Sequence, residues 1–144
     1  MDALTRLTIQ QDCTDVVTRY ALAVNRWDLD DFTALFHPDA TWQRPDNPPL
    51  VGHGAIRAFM ESQPHSPTER VLRHVNGGVL VEVLDADTAT VWSQTTVYEG
   101  PPASLPVVVA GPDLVVEYLD RMVRSSGGWL IARRDTTVVF RAPR

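Results

Sequence analysis

The first stretch of the chain carries apolar residues at helical spacing. Thr8 is followed three residues later by Gln11, which is the pattern of a capping box at the start of a helix. The sequence therefore predicts a helix from Thr8 to about Trp27. Its apolar stripe recurs at steps of three and four residues and consists of Ile9, Cys13, Val16, Val17, Tyr20 and Val24.

Two shorter helices are predicted after the first. Asp28 is a candidate N-cap with Asp31 at the N3 position, and His37-Pro38-Asp39 breaks the pattern. A third helix is predicted from Gly52 to Ser62. The inward residues are Phe32, Leu35 and Phe36 in the second helix, and Ile56, Phe59 and Met60 in the third.

The remaining chain alternates with a period of two, which is typical of strands. After a short strand at Ala40–Gln43, the segments Arg44–Val51 and Gln63–Thr68 contain proline and are predicted to be loops. Long strands are then predicted at four places, with a bulge at Gly77-Gly78 and a hairpin turn at Ser125–Gly128. They are Arg70–Leu84, Thr88–Tyr98, Val107–Arg124 (broken near Gly111-Pro112) and Trp129–Arg141, with Glu99–Pro106 as a loop.

Helices followed by antiparallel strands indicate an α+β fold, in which three helices pack on one curved sheet and leave a cavity between the layers. The 144 residues fit one domain, residues 1–144. The net charge of -5 argues against nucleic acid or an anionic membrane as partner. Cys13 is the only cysteine, so no internal disulfide can form. With no signal peptide recognised, we expect a cytoplasmic protein.

The candidate chemistry centres on His74. It alternates with Leu72 and Asn76 in a β-favouring run, so all three should face one side of a strand. An imidazole on the inner face of a sheet is costly to bury without a partner, and it titrates near neutral pH. His74 is therefore either a general acid or base, or a core histidine held by a backbone carbonyl.

Several local strings, in this order and spacing, resemble the nuclear transport factor 2-like superfamily in its SnoaL-like branch. The resemblance implies a cone-shaped α+β barrel, three helices packed on a curved antiparallel or mixed sheet, with one deep apolar cavity and a homodimer. It also implies dehydratase, dehydrochlorinase, isomerase or polyketide cyclase chemistry, although the superfamily has non-catalytic members. The strings are Arg19–Ala21, Asp28–Asp30, Leu35–Trp42, Gly52–Ile56, Arg73–His74 and Gly127–Ile131.

The resemblance also implies roles for three residues. Dehydratase-like members pair a histidine on the sheet with an aspartate near the end of the first helix, and a tyrosine on that helix often assists. These positions match His74, Asn25 and Tyr20. Asn25 is the departure, because asparagine can hold the imidazole by a hydrogen bond but supplies no charge. His74 should therefore be a weaker base than in those members.

Further residues are expected to line the cavity and bind substrate. Trp42 matches a cavity tryptophan of the dehydrochlorinase-like members, and Ser93 and Thr95 should face the cavity from the strand at Thr88–Tyr98. Tyr118 is expected as a pocket wall. Arg134 matches a cavity arginine that would bind a developing anion if it points inward, but a solvated strand charge is the more common case.

The other histidines, His37, His53 and His65, are expected at the surface. They form no spacing typical of a metal site, and we expect no metal and no cofactor. The sequence thus predicts a cofactor-independent enzyme that performs acid/base elimination, isomerisation or cyclisation on an apolar, polycyclic or polyketide-like substrate. One alternative is a non-catalytic module of the same fold that binds a hydrophobic ligand or a partner. Another is the small subunit of a ring-hydroxylating dioxygenase, which has a structural role.

Overall fold

The computed structural model of the protein describes residues 1–143. Three helices and two strands make up the first part of the chain, and four long strands follow. In chain order the elements are α1 (Ala3–Arg26), α2 (Leu29–Ala34), β1 (Phe36–Gln43), β2 (Leu50–Val51), α3 (Gly52–Glu61), β3 (Val71–Val83), β4 (Thr88–Gly100), β5 (Leu114–Ser125) and β6 (Gly128–Arg141).

The strands form one six-stranded sheet with the order β2-β1-β6-β5-β4-β3. The pair β1 and β6 is parallel, and all other pairs are antiparallel. The sheet is curved and does not close, and α1 packs mainly across β3. The predicted α+β architecture with three helices on a mixed sheet is confirmed. Within residues 1–143, no helix is both long and apolar enough to cross a bilayer.

The first helix begins earlier than predicted. Its N-cap is Asp2, whose carboxylate accepts a hydrogen bond of 2.7 Å from the backbone N–H of Thr5. Thr8 lies inside the helix, and its hydroxyl donates to the Leu4 carbonyl at 2.9 Å. The predicted capping box at Thr8 is therefore wrong, because a better oxygen acceptor stands one and a half turns earlier.

Strand boundaries in β1, β5 and β4 also differ from the prediction. Strand β1 begins at Phe36, which pairs with Ile131, so the segment predicted to break the helix is already part of the sheet. Strand β5 begins only at Leu114, because Pro106 and Pro112 lack the N–H that a strand ladder needs. Strand β4 continues to Gly100, so Glu99 lies on a strand and not in the predicted loop.

Candidate active site

A cavity of about 500 Å³ lies between the helices and the inner face of β3–β6. His74 is part of its wall, as are Tyr20 and Tyr118. Most of the remaining wall is apolar, which favours an apolar ligand. These apolar residues include Val24, Trp27, Trp42, Phe59, Met60, Leu72, Val97, Leu114, Val116 and Val138.

Asn25 fixes both the backbone and the ring of His74. Its Oδ1 accepts a 2.7 Å hydrogen bond from the backbone N–H of His74, and the same oxygen lies 3.1 Å from the ring Nδ1. A backbone N–H can only donate, so the amide must present its oxygen here. That oxygen can only accept, so Nδ1 carries the proton and Nε2 keeps its lone pair. Asn25 therefore selects the tautomer of a general base.

The surroundings of His74 keep its ring neutral. Burial lowers the pKa of His74 from 6.5 to about 4, and the positive charges of Arg134 and His65 act in the same direction. Asn25 offers no compensating negative charge. Near neutral pH the ring is therefore an unprotonated acceptor, in agreement with the hydrogen bond from Nδ1 to Asn25.

A buried cation lies next to the two cavity tyrosines. Arg134 and Asp120 are both fully inaccessible to solvent and form two hydrogen bonds of 2.8 and 2.7 Å. The Arg134 guanidinium lies 4.0 Å from the centroid of the Tyr20 ring and 3.9 Å from that of Tyr118. Burial opposes the charge of Arg134, but the Asp120 carboxylate outweighs this effect and raises the pKa of Arg134 above its ordinary value.

Both cavity tyrosines keep their protons. Burial raises the pKa of Tyr20, and the positive charge of Arg134 opposes this only in part. Burial also raises the pKa of Tyr118 well above its ordinary value. The two hydroxyls are therefore neutral groups that can donate hydrogen bonds inside the cavity.

The placement of Arg134 corrects the view of it as a solvated strand charge. Trp129 and Ile131 point inward, and simple alternation would then place Arg133 inside. The register between β5 and β6 shifts between Arg121 and Met122, which turns Arg134 inward instead. Asp120 accepts from two of its nitrogens, the third has no hydrogen-bond partner within residues 1–143, and Arg134 does not line the cavity where the resemblance implied an anion contact.

The other predicted site residues divide into two groups. Trp42 lines the cavity and donates its indole N–H to the Thr136 hydroxyl at 2.9 Å. Ser93 and Thr95 lie on the expected face but are buried at 0% and 2% exposure and do not line the cavity. Thr95 instead donates to Asn76 Oδ1 at 3.0 Å. Asn25 likewise stands behind His74 and not in the wall, so it holds the ring and not a substrate oxygen.

The sequence prediction missed several polar residues of the cavity wall, among them His65 and Glu99. His65 Nδ1 lies 2.7 Å from Glu99 Oε1, and the His65 side chain is 29% exposed, so it is partly buried where a surface position was expected. Glu99 continues the inward-facing series Ser93, Thr95 and Val97, so strand alternation could have predicted that its side chain faces inward. His65 lies in a loop with proline, where no periodicity gives a signal.

Two further features lie away from the cavity at His74. His53, also expected at the surface, is half-buried, and its Nε2 lies 2.6 Å from the Phe36 carbonyl oxygen. A second cavity of about 610 Å³ lies along the other side of α1 and is lined by residues such as Asp12, Arg19 and Trp129. It contains none of the predicted site residues, so the cavity at His74 is the candidate active site.

Comparison with known proteins agrees with this fold. The sequence model of the SnoaL-like domain matches residues 5–135. A scytalone dehydratase-like protein from Novosphingobium aromaticivorans DSM 12444 superposes with a TM-score of 0.85 at 19% identity, covering 99% of this chain and 92% of that chain. No curated protein matches the sequence.

Two other solved structures have the same fold. A hexachlorocyclohexane dehydrochlorinase from Novosphingobium barchaimii LL02 has a TM-score of 0.79 at 14% identity, covering 99% of this chain and 94% of that chain. A protein of unknown function from Mycobacterium tuberculosis has a TM-score of 0.72 at 25% identity, with coverage of 89% and 74%. At these identities the superpositions establish the shared fold.

Proposed function

Because this chain belongs to the SnoaL-like family of the nuclear transport factor 2-like superfamily, we propose that it is a cofactor-independent proton-transfer enzyme. Its reaction is elimination, isomerisation or cyclisation of a small apolar molecule bound in the cavity of about 500 Å³. One observation carries this proposal. The neutral His74 ring lines an apolar cavity, and Asn25 holds it with Nε2 as the proton acceptor.

The cavity supplies the other groups that such a reaction needs. His74 Nε2 removes a proton from carbon, and negative charge then develops on the substrate. The hydroxyls of Tyr20 and Tyr118 donate hydrogen bonds to that charge. The Arg134 guanidinium lies 4.0 and 3.9 Å from the centroids of the Tyr20 and Tyr118 rings, and its positive charge stabilises the negative charge on the substrate further. Trp42 and Phe59 shape the apolar side of the cavity.

The structural neighbours support elimination in particular. A dehydratase removes water and a dehydrochlorinase removes hydrogen chloride, and both reactions take a proton from carbon. The neighbours carrying these names cover nearly all of this chain. An elimination on an apolar substrate is therefore the reaction that best accounts for both the family membership and the neutral His74 ring in this cavity.

A generic substrate tests this proposal without knowledge of the natural one. Nitrobenzisoxazole is a small aromatic molecule that opens to a coloured cyanophenolate when a base removes its only acidic C–H proton. We expect the protein to accelerate this reaction, and His74→Ala to lower kcat/KM by about 10²–10⁴-fold. His37 lies outside the cavity wall, so His37→Ala is the matched control and should retain the wild-type rate. Equal rates for His74→Ala and wild type would contradict the proposal.

A second candidate function is ligand binding without chemistry. The observation in its favour is that no carboxylate within residues 1–143 contacts the His74 ring, and burial lowers the pKa of this ring to about 4, which makes it a weak base. A binding module would retain an apolar fluorescent dye in the cavity with unchanged affinity in His74→Ala. It would not accelerate nitrobenzisoxazole opening above a matched concentration of free imidazole.

We also propose that the protein is a homodimer formed through the outer face of its sheet. Leu80, Trp92 and Leu119 are direct cross-strand partners on β3, β4 and β5. They are 69%, 36% and 54% exposed, which makes a continuous apolar row on the side away from the helices. Light scattering should give a dimer for the wild type and a monomer for Leu80→Glu with Leu119→Glu. A wild-type monomer at high concentration would contradict this proposal.

A further inference from the structure

One arginine of the cavity wall has no counter-charge of its own. Within residues 1–143 three arginines are at least partly buried, namely Arg44, Arg57 and Arg134. Arg57 pairs with two carboxylates, and Arg134 pairs with Asp120. Arg44 lines the cavity but forms no ion pair within these residues, and its Nε is buried without a hydrogen-bond acceptor. An unpaired cation in a mostly apolar wall is costly, so its presence there suggests a ligand that supplies the missing charge.

The position of the Arg44 side chain is set from two sides. Its guanidinium carbon lies 4.0 Å from the centroid of the Phe59 ring, and that ring meets Trp42 edge-to-face at 5.6 Å. The side-chain amide of Gln43 donates to the carbonyl of Arg44 at 2.9 Å and to that of Asn47 at 2.8 Å, which fixes the backbone where the loop after β1 begins. The contact with the aromatic ring leaves the capacity of the guanidinium to bind oxygen acceptors unused. Arg44 is therefore a preorganised hydrogen-bond donor.

The acidic side chains of the cavity wall lie away from Arg44. Glu99 contacts Arg70, whose Nε is 3.1 Å from the Glu99 carboxylate. Asp113 lies directly before β5, and β6 separates that strand from β1, which Arg44 follows. Two strand spacings amount to roughly 10 Å along the sheet. The end of the cavity at Arg44 therefore keeps its positive charge.

The chemistry of a guanidinium indicates which charge would match it. Arginine stays protonated over the whole physiological range, and its planar fork of N–H groups fits the two oxygens of a carboxylate. Such hydrogen bonds are stronger in surroundings that exclude water. Because the wall next to Arg44 contains Trp42 and Phe59, the matching ligand combines an apolar body with one carboxylate.

We propose that Arg44 binds the carboxylate of the cavity's ligand, and that this ligand is an elongated apolar acid whose other end reaches His74. The proposal rests on the proposed proton-transfer function and names the substrate class for it. Arg44 follows β1 and His74 lies on β3, and the sheet order places these strands four spacings apart, roughly 19 Å along the sheet. The curvature of the sheet and the inward side chains shorten the direct gap. A molecule of two or more linked rings suits this span better than a single ring.

Binding measurements test the role of Arg44 without turnover. Titration calorimetry compares biphenyl-4-carboxylate with biphenyl-4-carboxamide, which has nearly the same shape but no charge. We expect Arg44→Gln, and Arg44→Met with its apolar stem, to weaken carboxylate binding by about tenfold or more and carboxamide binding by less than about twofold. Arg141 also lines the cavity but is exposed. Arg141→Gln removes the same charge and is the matched control, for which carboxylate binding should stay within about twofold of wild type.

The outcomes separate a direct contact from general attraction. Equal weakening of carboxylate binding in Arg44→Gln and Arg141→Gln would mean that the charges act only at long range, and it would overturn the contact with Arg44. A wild type that binds the two ligands equally well, or binds neither, would also overturn it. A wild type that prefers the carboxylate through Arg44 but fails to open nitrobenzisoxazole would support the ligand class and would instead overturn the proposed function.

Discussion

The substitution Asn25→Asp should turn His74 into a stronger base. Asn25 Oδ1 lies 3.1 Å from the ring Nδ1 of His74. Aspartate has nearly the same shape as asparagine and can keep both contacts with His74. The change adds one negative charge at the atom that already faces the ring, and it leaves the cavity wall intact because Asn25 is not part of it.

The size of the effect follows from the geometry. Two unit charges about 4 Å apart attract by about 4 kcal/mol at an effective dielectric constant of about 20. Part of this is lost because the new carboxylate must itself be removed from water. A close opposite charge typically raises the pKa of its partner by about 1–3 units. The pKa of His74, lowered to about 4 in the wild type, should therefore rise to between about 5 and 7.

Nuclear magnetic resonance titration of the His74 ring protons measures this directly. The wild type and Asn25→Asp are compared over the acidic and neutral range, with Asn76→Asp as a control that places a charge on the same strand away from Nδ1. The same variants are assayed with nitrobenzisoxazole, where the stronger base should be faster wherever it stays unprotonated. A shift of less than about half a unit would refute the view that the neutral amide sets the basicity of His74.

Three further predictions concern stability and reactivity. The pKa of His74 falls from 6.5 in the unfolded chain to about 4 in the fold, so the folded state binds fewer protons. The free energy of unfolding should therefore decrease by up to about 3 kcal/mol as the pH falls from above 6.5 towards 4. Urea unfolding should show this loss in the wild type and a smaller one in His74→Gln. Arg134→Met should destabilise the fold by about 3–5 kcal/mol because it leaves Asp120 buried and unpaired, and adding Asp120→Leu should restore much of the loss; additive effects in urea unfolding would argue against a coupled pair. Cys13 is fully buried and burial raises its pKa to about 12, so a thiol reagent should modify it only as fast as the protein unfolds, and rapid modification of the native protein would contradict this burial.

The fold was readable from the sequence because its signals are local and periodic. The stripe on α1 that includes Ile9, Cys13 and Tyr20 is buried as its spacing predicted. The alternation around His74 placed it on the inner face with Leu72. Helix and strand periods reflect only the geometry along the chain, so they can be recognised without knowledge of any tertiary contact.

The site was only partly readable because its key contacts are not local. The pairing of Arg134 with Asp120 depends on a register shift between β5 and β6 that no pattern within β6 reveals. The contact of His65 with Glu99 joins a loop to a strand edge, and proline in that loop removes the periodicity that would give its direction. The contact of Asn25 with His74 was anticipated only through the family resemblance.

The tautomer of His74 is the most direct test of this account. Nitrogen-15 spectra of the imidazole ring near neutral pH distinguish a proton on Nδ1 from a proton on Nε2 and from the doubly protonated ring. We predict a neutral ring with its proton on Nδ1, because Asn25 Oδ1 accepts from both Nδ1 and the backbone N–H. A ring protonated on Nε2, or charged at neutral pH, would leave no base facing the cavity and would contradict the proposed chemistry.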